Sequence, residues 1–160
     1  MVKKNNINGR GIRSGESDDF VHTGPGTLAG RYLRRFWQPI YVSEELPAGK
    51  IVPIKILGEE LALYRGESST PRVITNECPH RLSVLNTGWI EGETIRCRYH
   101  GWRFDESGGC VEQPGEPKPF CHKIPRLASY PTCELHGLIF AYFGEGDQPA
   151  FPPLPGLEEG

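Results

Sequence analysis

Two cysteine–histidine pairs constrain the fold of this 160-residue chain more than any other feature of its sequence. Cys78 and His80 are separated by one residue, Cys97 and His100 by two, and sixteen residues lie between the pairs. Thiolates and neutral imidazoles are ligands for soft or borderline metal ions. We therefore expect two loops, each contributing one cysteine and one histidine, to meet at one metal centre.

The residue types leave two kinds of metal centre open. A structural zinc site can use two cysteines and two histidines, but zinc fingers usually take both cysteines from one segment and both histidines from the other. A mixed pair on each loop favours a [2Fe–2S] cluster in which two histidines replace two cysteines on one iron. We therefore expect an iron–sulfur cluster, with zinc as the alternative.

The density of glycine and proline favours a fold built from short strands. The chain has 20 glycines and 15 prolines, which interrupt it too often for long helices. One helix is predicted over 27–37, with Thr27 as its N-cap and Pro39 ending it. The strand candidates are 51–57 and 60–66 joined by a turn at Gly58-Glu59, then 72–75, 93–98, 102–105 and 135–143, the last as a central strand. The expected fold class is all-β.

The composition argues against two classes of partner. A net charge of −2 gives no basic excess for nucleic acid, and no apolar run reaches the roughly 18 residues that span a membrane. Five cysteines are an odd number, which favours reduced thiols and a cytoplasmic location over a secreted disulfide framework. Cys110, Cys121 and Cys133 have no partner at metal-ligand spacing, and we expect them to be small buried hydrophobic side chains.

The motifs around both pairs carry a family resemblance. The segments C-P-H-R at 78–81, C-R-Y-H-G-W at 97–102 and F-D at 104–105 resemble the Rieske domain of ring-hydroxylating (Rieske non-haem iron) oxygenase α-subunits. Similarity to the phthalate dioxygenase and demethylase branch extends over R-R-F-W-Q-P at 34–39, S-E-E-L at 43–46, E-Q-P-G-E-P at 112–117, Y-P at 130–131, G-L-I-F-A-Y-F at 137–143 and P-P-L-P at 152–155. The resemblance covers the chain from Thr27 to its C-terminus.

The resemblance implies a fold and a set of ligands. The fold would be a Rieske-type antiparallel β-sandwich, with two hairpin loops holding the cluster and one short N-terminal helix. Cys78 and Cys97 would bind the inner iron, and His80 and His100 the outer iron. The residues expected around the cofactor are Arg81, Tyr99, Gly101 and Trp102, although Arg81 is equally compatible with a solvated surface charge.

Several positions distinguish this chain from the high-potential Rieske proteins of respiratory complexes, which carry a disulfide between their cluster loops. The two extra cysteines of that class are replaced here by Ser83 and Tyr99, so that disulfide cannot form. Trp102 and Phe104 replace the hydroxyls that hydrogen-bond the cluster in that class. Because such hydrogen bonds raise the reduction potential, we expect a potential near the low end of the Rieske range.

The resemblance also implies a function. The chain would carry electrons in an aromatic-ring oxygenase or demethylase that uses O₂ and NAD(P)H, receiving them from an NAD(P)H-dependent reductase or a ferredoxin. They would pass to a mononuclear Fe(II) held by two histidines and a carboxylate. After His100 the chain has only His122 and His136, so we expect that iron in a separate catalytic domain or subunit, and this chain alone to be catalytically incomplete. The alternative is a stand-alone Rieske ferredoxin-type carrier.

The expected organisation has three parts. Residues 1–26 are predicted to be a polar, disordered tail, 27–148 the Rieske domain, and 149–160 a proline-rich linker toward the catalytic domain. The family suggests assembly as a homotrimer.

Overall fold

The computed structural model describes residues 21–152, which form one short helix and eleven strands. The helix is α1 (Leu28–Leu33), and the strands are β1 (Trp37–Val42), β2 (Ile51–Ile56), β3 (Glu59–Arg65), β4 (Pro71–Thr75), β5 (Trp89–Glu91), β6 (Thr94–Arg96), β7 (Arg103–Phe104), β8 (Cys110–Glu112), β9 (Ser129–Tyr130), β10 (Thr132–Leu135) and β11 (Leu138–Tyr142). Short 3-10 turns cover Ser43–Glu45, Leu85–Thr87 and Cys121–Lys123. The all-β fold class predicted from the sequence is confirmed.

The strands form three antiparallel sheets, and one of them lies in the middle. The sheet orders are β1-β11-β10, β2-β3-β4-β9 and β5-β6-β7-β8. The middle sheet is the second, because β3 buries both of its faces. Leu61 and Leu63 pack into a core shared with β11, whereas Ala62 and Tyr64 pack into a core shared with β6 and β7. This second core also contains both candidate cysteine ligands.

The hairpin predicted between the two apolar runs is confirmed, with its turn one residue earlier than predicted. β2 pairs with β3 from Ile51↔Tyr64 to Ile56↔Glu59. Leu57 and Gly58 connect them with φ of 49° and 77°. Positive φ at both central residues is the geometry of a two-residue hairpin turn whose twist matches that of the flanking strands.

The predicted single strand over 135–143 is wrong, because it contains a second hairpin turn. His136 and Gly137 have φ of 49° and 74°, and they connect β10 to β11. His136 is thereby exposed in a turn. The apolar second half of the segment forms β11, which is central as expected, since it pairs with both β1 and β10.

The helix is shorter than predicted. The Thr27 hydroxyl caps α1 by accepting from Gly30 N–H at 3.0 Å, as expected, but Trp37 already belongs to β1 and pairs with Tyr142. Pro39 lies within β1 instead of ending the helix. β1 is an edge strand, where a residue without an N–H can be accommodated.

Residues near both ends of the described chain bond to the body of the domain. Arg34 Nη1 donates to the Thr23 carbonyl at 2.9 Å. Trp37 Nε1 donates to the Pro149 carbonyl at 3.0 Å, and the Phe151 ring packs 5.9 Å from the Trp37 ring between centroids. The described parts of the predicted tail and of the predicted linker, 21–26 and 149–152, are therefore attached to the domain.

The rest of those two predicted segments, 1–20 and 153–160, lies outside the described residues. Within 21–152, no helix is both long enough and apolar enough to cross a membrane. The predictions of a disordered tail and of a linker therefore stay predictions.

Candidate metal centre

The first cysteine–histidine pair lies in the loop between β4 and β5. Cys78 N–H donates to the Ser83 carbonyl at 2.9 Å, and the Cys78 carbonyl accepts from Leu82 N–H at 2.9 Å. An isolated pairing of Glu77 with Val84 closes the base of the loop. Leu82 has φ of 57°, in the left-handed region that favours glycine.

The second pair lies in the loop between β6 and β7, which repeats the same turn. Cys97 N–H donates to the Trp102 carbonyl at 2.8 Å, and its carbonyl accepts from Gly101 N–H at 3.0 Å. Gly101 has φ of 74° and occupies the position that Leu82 holds in the first turn. Each cysteine therefore begins an equivalent turn, whereas the histidine is the third residue of one turn and the fourth of the other.

The two thiols lie together beneath these turns. Cys78 is 1% exposed and Cys97 is 2% exposed, in a core that includes Leu85, Ile95 and Phe104. Each thiol shifts the pKa of the other, which shows that the two sulfurs are close together. Two thiols from different turns thus share one buried region.

The surroundings of Cys97 favour its thiolate form. The Cys78 thiol, then the backbone N–H groups of Tyr99 and His100 and the Ser83 hydroxyl, lower the pKa of Cys97 against the opposing effect of burial. The Cys97 thiol, together with burial, raises the pKa of Cys78, whose sulfur accepts from His80 N–H. The thiolate is the form of cysteine that binds metal, so the donors aimed at these sulfurs favour ligation.

The two imidazoles lie together at the rim above the thiols. The rings of His80 and His100 are 4.6 Å apart between centroids. His80 stacks flat on Trp102, with ring centroids 4.4 Å apart and an interplanar angle of 6°. His100 is exposed, and its ring centroid lies 3.8 Å from that of Tyr99. One imidazole is therefore backed by a buried indole and the other faces outward.

This arrangement fits a binuclear cluster. The four side chains form a buried thiol pair and a more exposed imidazole pair. Two thiolates on one iron and two imidazoles on the other is the donor set of a Rieske-type [2Fe–2S] cluster.

Arg96 fixes the second turn, and sequence reasoning missed it. Its Nη1 donates to the Gly101 carbonyl at 2.7 Å, and its guanidinium bonds both carboxylate oxygens of Glu91, at 2.7 and 2.6 Å, and Glu112 at 2.9 Å. Arg96, with Trp89, lowers the pKa of Glu91 to about 2. Opposite charges on strands β5, β6 and β8 were the available signal, but only the strand register reveals that they meet.

The other predicted cofactor neighbours differ in their placement. Trp102 is buried beneath His80, and Tyr99 is 58% exposed beside His100. A Cβ on Gly101 would lie 2.9 Å from Pro114 Cγ, so the glycine also makes room for the loop that follows β8. Arg81 is exposed, which leaves both of its interpretations open.

The expectation for the remaining cysteines is only partly met. Cys110, Cys121 and Cys133 are half-buried, and Cys110 packs against the core that contains the candidate ligands. Cys110 and Cys121 are not independent hydrophobic side chains, because their sulfurs lie 3.4 Å apart. Their separation of eleven residues matches no metal-ligand spacing, so no pattern in the sequence indicated this contact.

Comparison with known proteins agrees with the geometry. Residues 36–131 match the Rieske [2Fe–2S] domain family. The chain is 38% identical over 141 residues to the 5,5'-dehydrodivanillate O-demethylase oxygenase subunit of Sphingobium sp., covering 86% of this chain and 33% of that protein. It is 37% identical over 129 residues to the phthalate 4,5-dioxygenase oxygenase subunit of Pseudomonas putida, covering 78% and 29%.

A solved structure shares the fold. A variant of the oxygenase in the oxygenase–ferredoxin complex of carbazole 1,9a-dioxygenase, with one glutamine replaced by asparagine, matches with a TM-score of 0.70 and 29% identity, over 79% of this chain and 34% of that one. The chain thus spans about a third of the length of these three relatives.

Proposed function

This chain belongs to the Rieske [2Fe–2S] domain family, and on that basis we propose that it is the electron-transfer part of an aromatic-ring oxygenase or demethylase. The observation that carries the proposal is the pair of buried thiols beneath a pair of imidazoles, one of them exposed. When bound, such a cluster takes up and releases one electron at a time.

We propose that Cys78 and Cys97 hold the inner iron and that His80 and His100 hold the outer iron. The depth of the thiols supports this assignment, because burial among apolar side chains keeps water from the sulfur end of the site. The N–H donors of His80, Tyr99 and His100 stabilise the thiolates there.

The two histidines have different surroundings and, we propose, different tasks. Trp102 holds the His80 ring in place by stacking, so that imidazole is oriented by the core. His100 is exposed beside Tyr99, which suits contact with a redox partner.

The activity of the whole protein is also a proposal. The named relatives are an O-demethylase and a dioxygenase of aromatic compounds, which supports an aromatic acid as substrate, with O₂ and NAD(P)H. We propose that electrons come from an NAD(P)H-dependent reductase or a ferredoxin, a ferredoxin being named in the complex of carbazole 1,9a-dioxygenase. A mononuclear Fe(II) in a catalytic domain or subunit outside these residues would receive them, in a homotrimer within the cytoplasm.

Metal analysis of protein purified without oxygen tests the proposed cofactor. We expect about two irons and two acid-labile sulfides per chain, red-brown colour, and a Rieske-type EPR signal after reduction. Cys78→Ser should lose the cluster and much of the stability, because metal binding and folding are coupled, whereas Cys133→Ser should keep both. Zinc without sulfide would contradict the proposal.

Electron transfer separates the oxygenase from a simple carrier. With a reductase and NAD(P)H, the chain should be reduced yet convert no aromatic compound alone, and product should appear only with a catalytic domain or subunit. Product formation by these 160 residues alone would contradict the proposal that catalysis requires another domain or subunit. A catalytic partner that turns over at the same rate without this chain would favour the stand-alone carrier.

A further inference from the structure

Cys110 and Cys121 approach each other beside the cluster loops. Cys110 lies in β8 and Cys121 begins the 3-10 turn Cys121–Lys123, and their Sγ atoms are 3.4 Å apart. Both side chains are half-buried. A disulfide requires a sulfur–sulfur distance of about 2.0 Å, so a shift of about 1.4 Å, within reach of a small change in side-chain torsion, would join them.

We propose that Cys110 and Cys121 are a reversible dithiol–disulfide pair that closes the loop 111–120 under oxidising conditions. This proposal does not depend on the electron-transfer function. It assigns a modification site to two thiols that the candidate metal centre does not use.

The loop is already held with its two ends together. The Gln113 side chain is 1% exposed, and its Oε1 accepts from Phe120 N–H at 2.6 Å. Glu116 N–H donates to the Gln113 carbonyl at 3.1 Å, which folds the loop back on itself. Because the chain reaches this closed shape with both cysteines reduced, the disulfide adds a covalent bond without requiring the loop to refold.

The chemistry is thiol–disulfide exchange with a low-molecular-weight disulfide such as oxidised glutathione. One cysteine thiolate attacks a sulfur of the small disulfide, forming a mixed disulfide and releasing one small thiol. The other cysteine then attacks the protein sulfur of that mixed disulfide and releases the second small thiol. Two electrons pass to the small disulfide, and the two protons lost by the cysteines end on the released thiols.

The surroundings favour this oxidant. Lys118 and Lys123 are exposed within three positions of Cys121, and they provide positive charge for an anionic small disulfide. Burial, reinforced by the contact with Cys121, raises the pKa of Cys110, which makes Cys121 the better group for the first attack on the small disulfide. Cys110, whose sulfur already lies 3.4 Å from Cys121 Sγ, then attacks the mixed disulfide at close range.

The pair is linked to the metal centre by ring contacts. Phe120, next to Cys121, packs edge-on against Trp102 with centroids 5.8 Å apart, and Trp102 stacks on His80. Holding Cys121 against Cys110 therefore holds Phe120 over the indole that supports a candidate ligand. We expect the disulfide to slow opening of the site.

The dithiol–disulfide pair is tested by incubating the metal-loaded protein in anaerobic glutathione buffers and then measuring the masses of its tryptic peptides. Trypsin does not cut before Pro119, so both cysteines stay in the peptide 104–123, which should be lighter by two hydrogen atoms in oxidising buffer and return to full mass in reducing buffer. Cys110→Ala and Cys121→Ala should each abolish this mass change, and Cys133→Ala should preserve it. Iron content in the same samples verifies that Cys78 and Cys97 remain protected.

A second measurement uses iron release to a chelator. Oxidation should slow release from the wild type and from Cys133→Ala about threefold or more, and should leave Cys121→Ala unchanged. If the 104–123 peptide keeps its reduced mass in the most oxidising buffer while iron is retained, or if oxidation is confined to Cys78 and Cys97, the proposal is wrong. If the disulfide forms but iron release is not slowed, the modification site is confirmed and its proposed effect on the metal centre is wrong.

Discussion

Single residues decide how closely the two cluster turns can match. Gly101 adopts a positive φ without a side chain to strain, whereas Leu82 holds the equivalent position with φ of 57° and a side chain that is 66% exposed. The left-handed conformation costs a residue with a side chain about 1–2 kcal/mol. The exposed leucine contributes little packing that would offset this cost.

Two substitutions at Leu82 test that cost. Leu82→Gly should leave the free energy of unfolding within about 1 kcal/mol of the wild type, because the relief of strain offsets the greater freedom of glycine in the unfolded chain. Leu82→Ile should destabilise by about 1–2 kcal/mol, since a branched Cβ fits this conformation worse. Denaturant unfolding at matched iron content measures both. A large decrease in the free energy of unfolding of Leu82→Gly would mean that the leucine side chain makes a stabilising contact.

Ser83 places a hydroxyl near the candidate cluster, although the sequence predicted fewer donors because Trp102 and Phe104 replace two hydroxyl residues. It contributes to the low pKa of Cys97 by hydrogen bonding to its sulfur. Such bonds stabilise the more negative, reduced state. Ser83→Ala should lower the reduction potential by an amount on the order of tens of mV, whereas Ser83→Thr should retain it. Redox titration of the metal-loaded domain checks this, and equal potentials in all three proteins would show that the hydroxyl does not act on the cluster.

At the scale of elements, Arg96 connects three strands to one turn. Its guanidinium bonds Glu91 on β5 and Glu112 on β8, and it holds the Gly101 carbonyl in the loop after β6. Hydrogen bonding to Arg96 lowers the pKa of both carboxyl groups. A carboxylate with a lowered folded pKa contributes stability that is complete above its unfolded pKa and is lost as the pH falls toward the folded value.

The pH dependence of an Arg96 variant follows from that sign. Arg96→Met should lower the thermal midpoint near neutral pH. The difference in thermal midpoint between this variant and the wild type should decrease as the pH falls from about 4.5, the ordinary pKa of glutamate, toward about 2. Arg96→Lys should recover only part of the loss, because lysine cannot bond the carboxylate at two points. Circular dichroism melts over this range provide the measurement. A gap that is independent of pH would exclude the carboxylates as the cause.

The elements also show where sequence reasoning succeeds. The spacing of the two cysteine–histidine pairs predicted which side chains come together, because the candidate ligands of one metal centre must converge whatever the strands between them do. The turn at His136-Gly137 was missed because an apolar run hides a hairpin when both of its strands are partly buried. The Arg96 network was missed because it depends on strand register, which no local pattern reveals.

At the scale of the whole molecule, the C-terminal residues of the described chain stabilise the first strand. Phe151 packs against Trp37 and Phe140, and the Pro149 carbonyl accepts from the Trp37 indole. Phe151→Ala should therefore lower the free energy of unfolding by about 1–2 kcal/mol, since a half-buried aromatic side chain is removed.

A matched change distinguishes this contact from a general effect of the terminal segment. Pro152→Ala, at an exposed neighbouring position, should leave the stability nearly unchanged. Thermal melts of both variants at equal iron content provide the test. If Phe151→Ala matches the wild type, then the domain ends near residue 148, as the sequence predicted.

The pairing of β1 with β11 sets an order of events during synthesis. Trp37 meets Tyr142 across a separation of roughly 100 residues, whereas the hairpin of β2 and β3 closes over a two-residue turn. On the ribosome, the middle sheet can begin to assemble while β1 must wait, unpaired, until nearly all of the domain has emerged. The sheet that unites the two ends of the domain is therefore the last to form, and a nascent chain that stalls before β11 emerges leaves the apolar face of β1 open to aggregation.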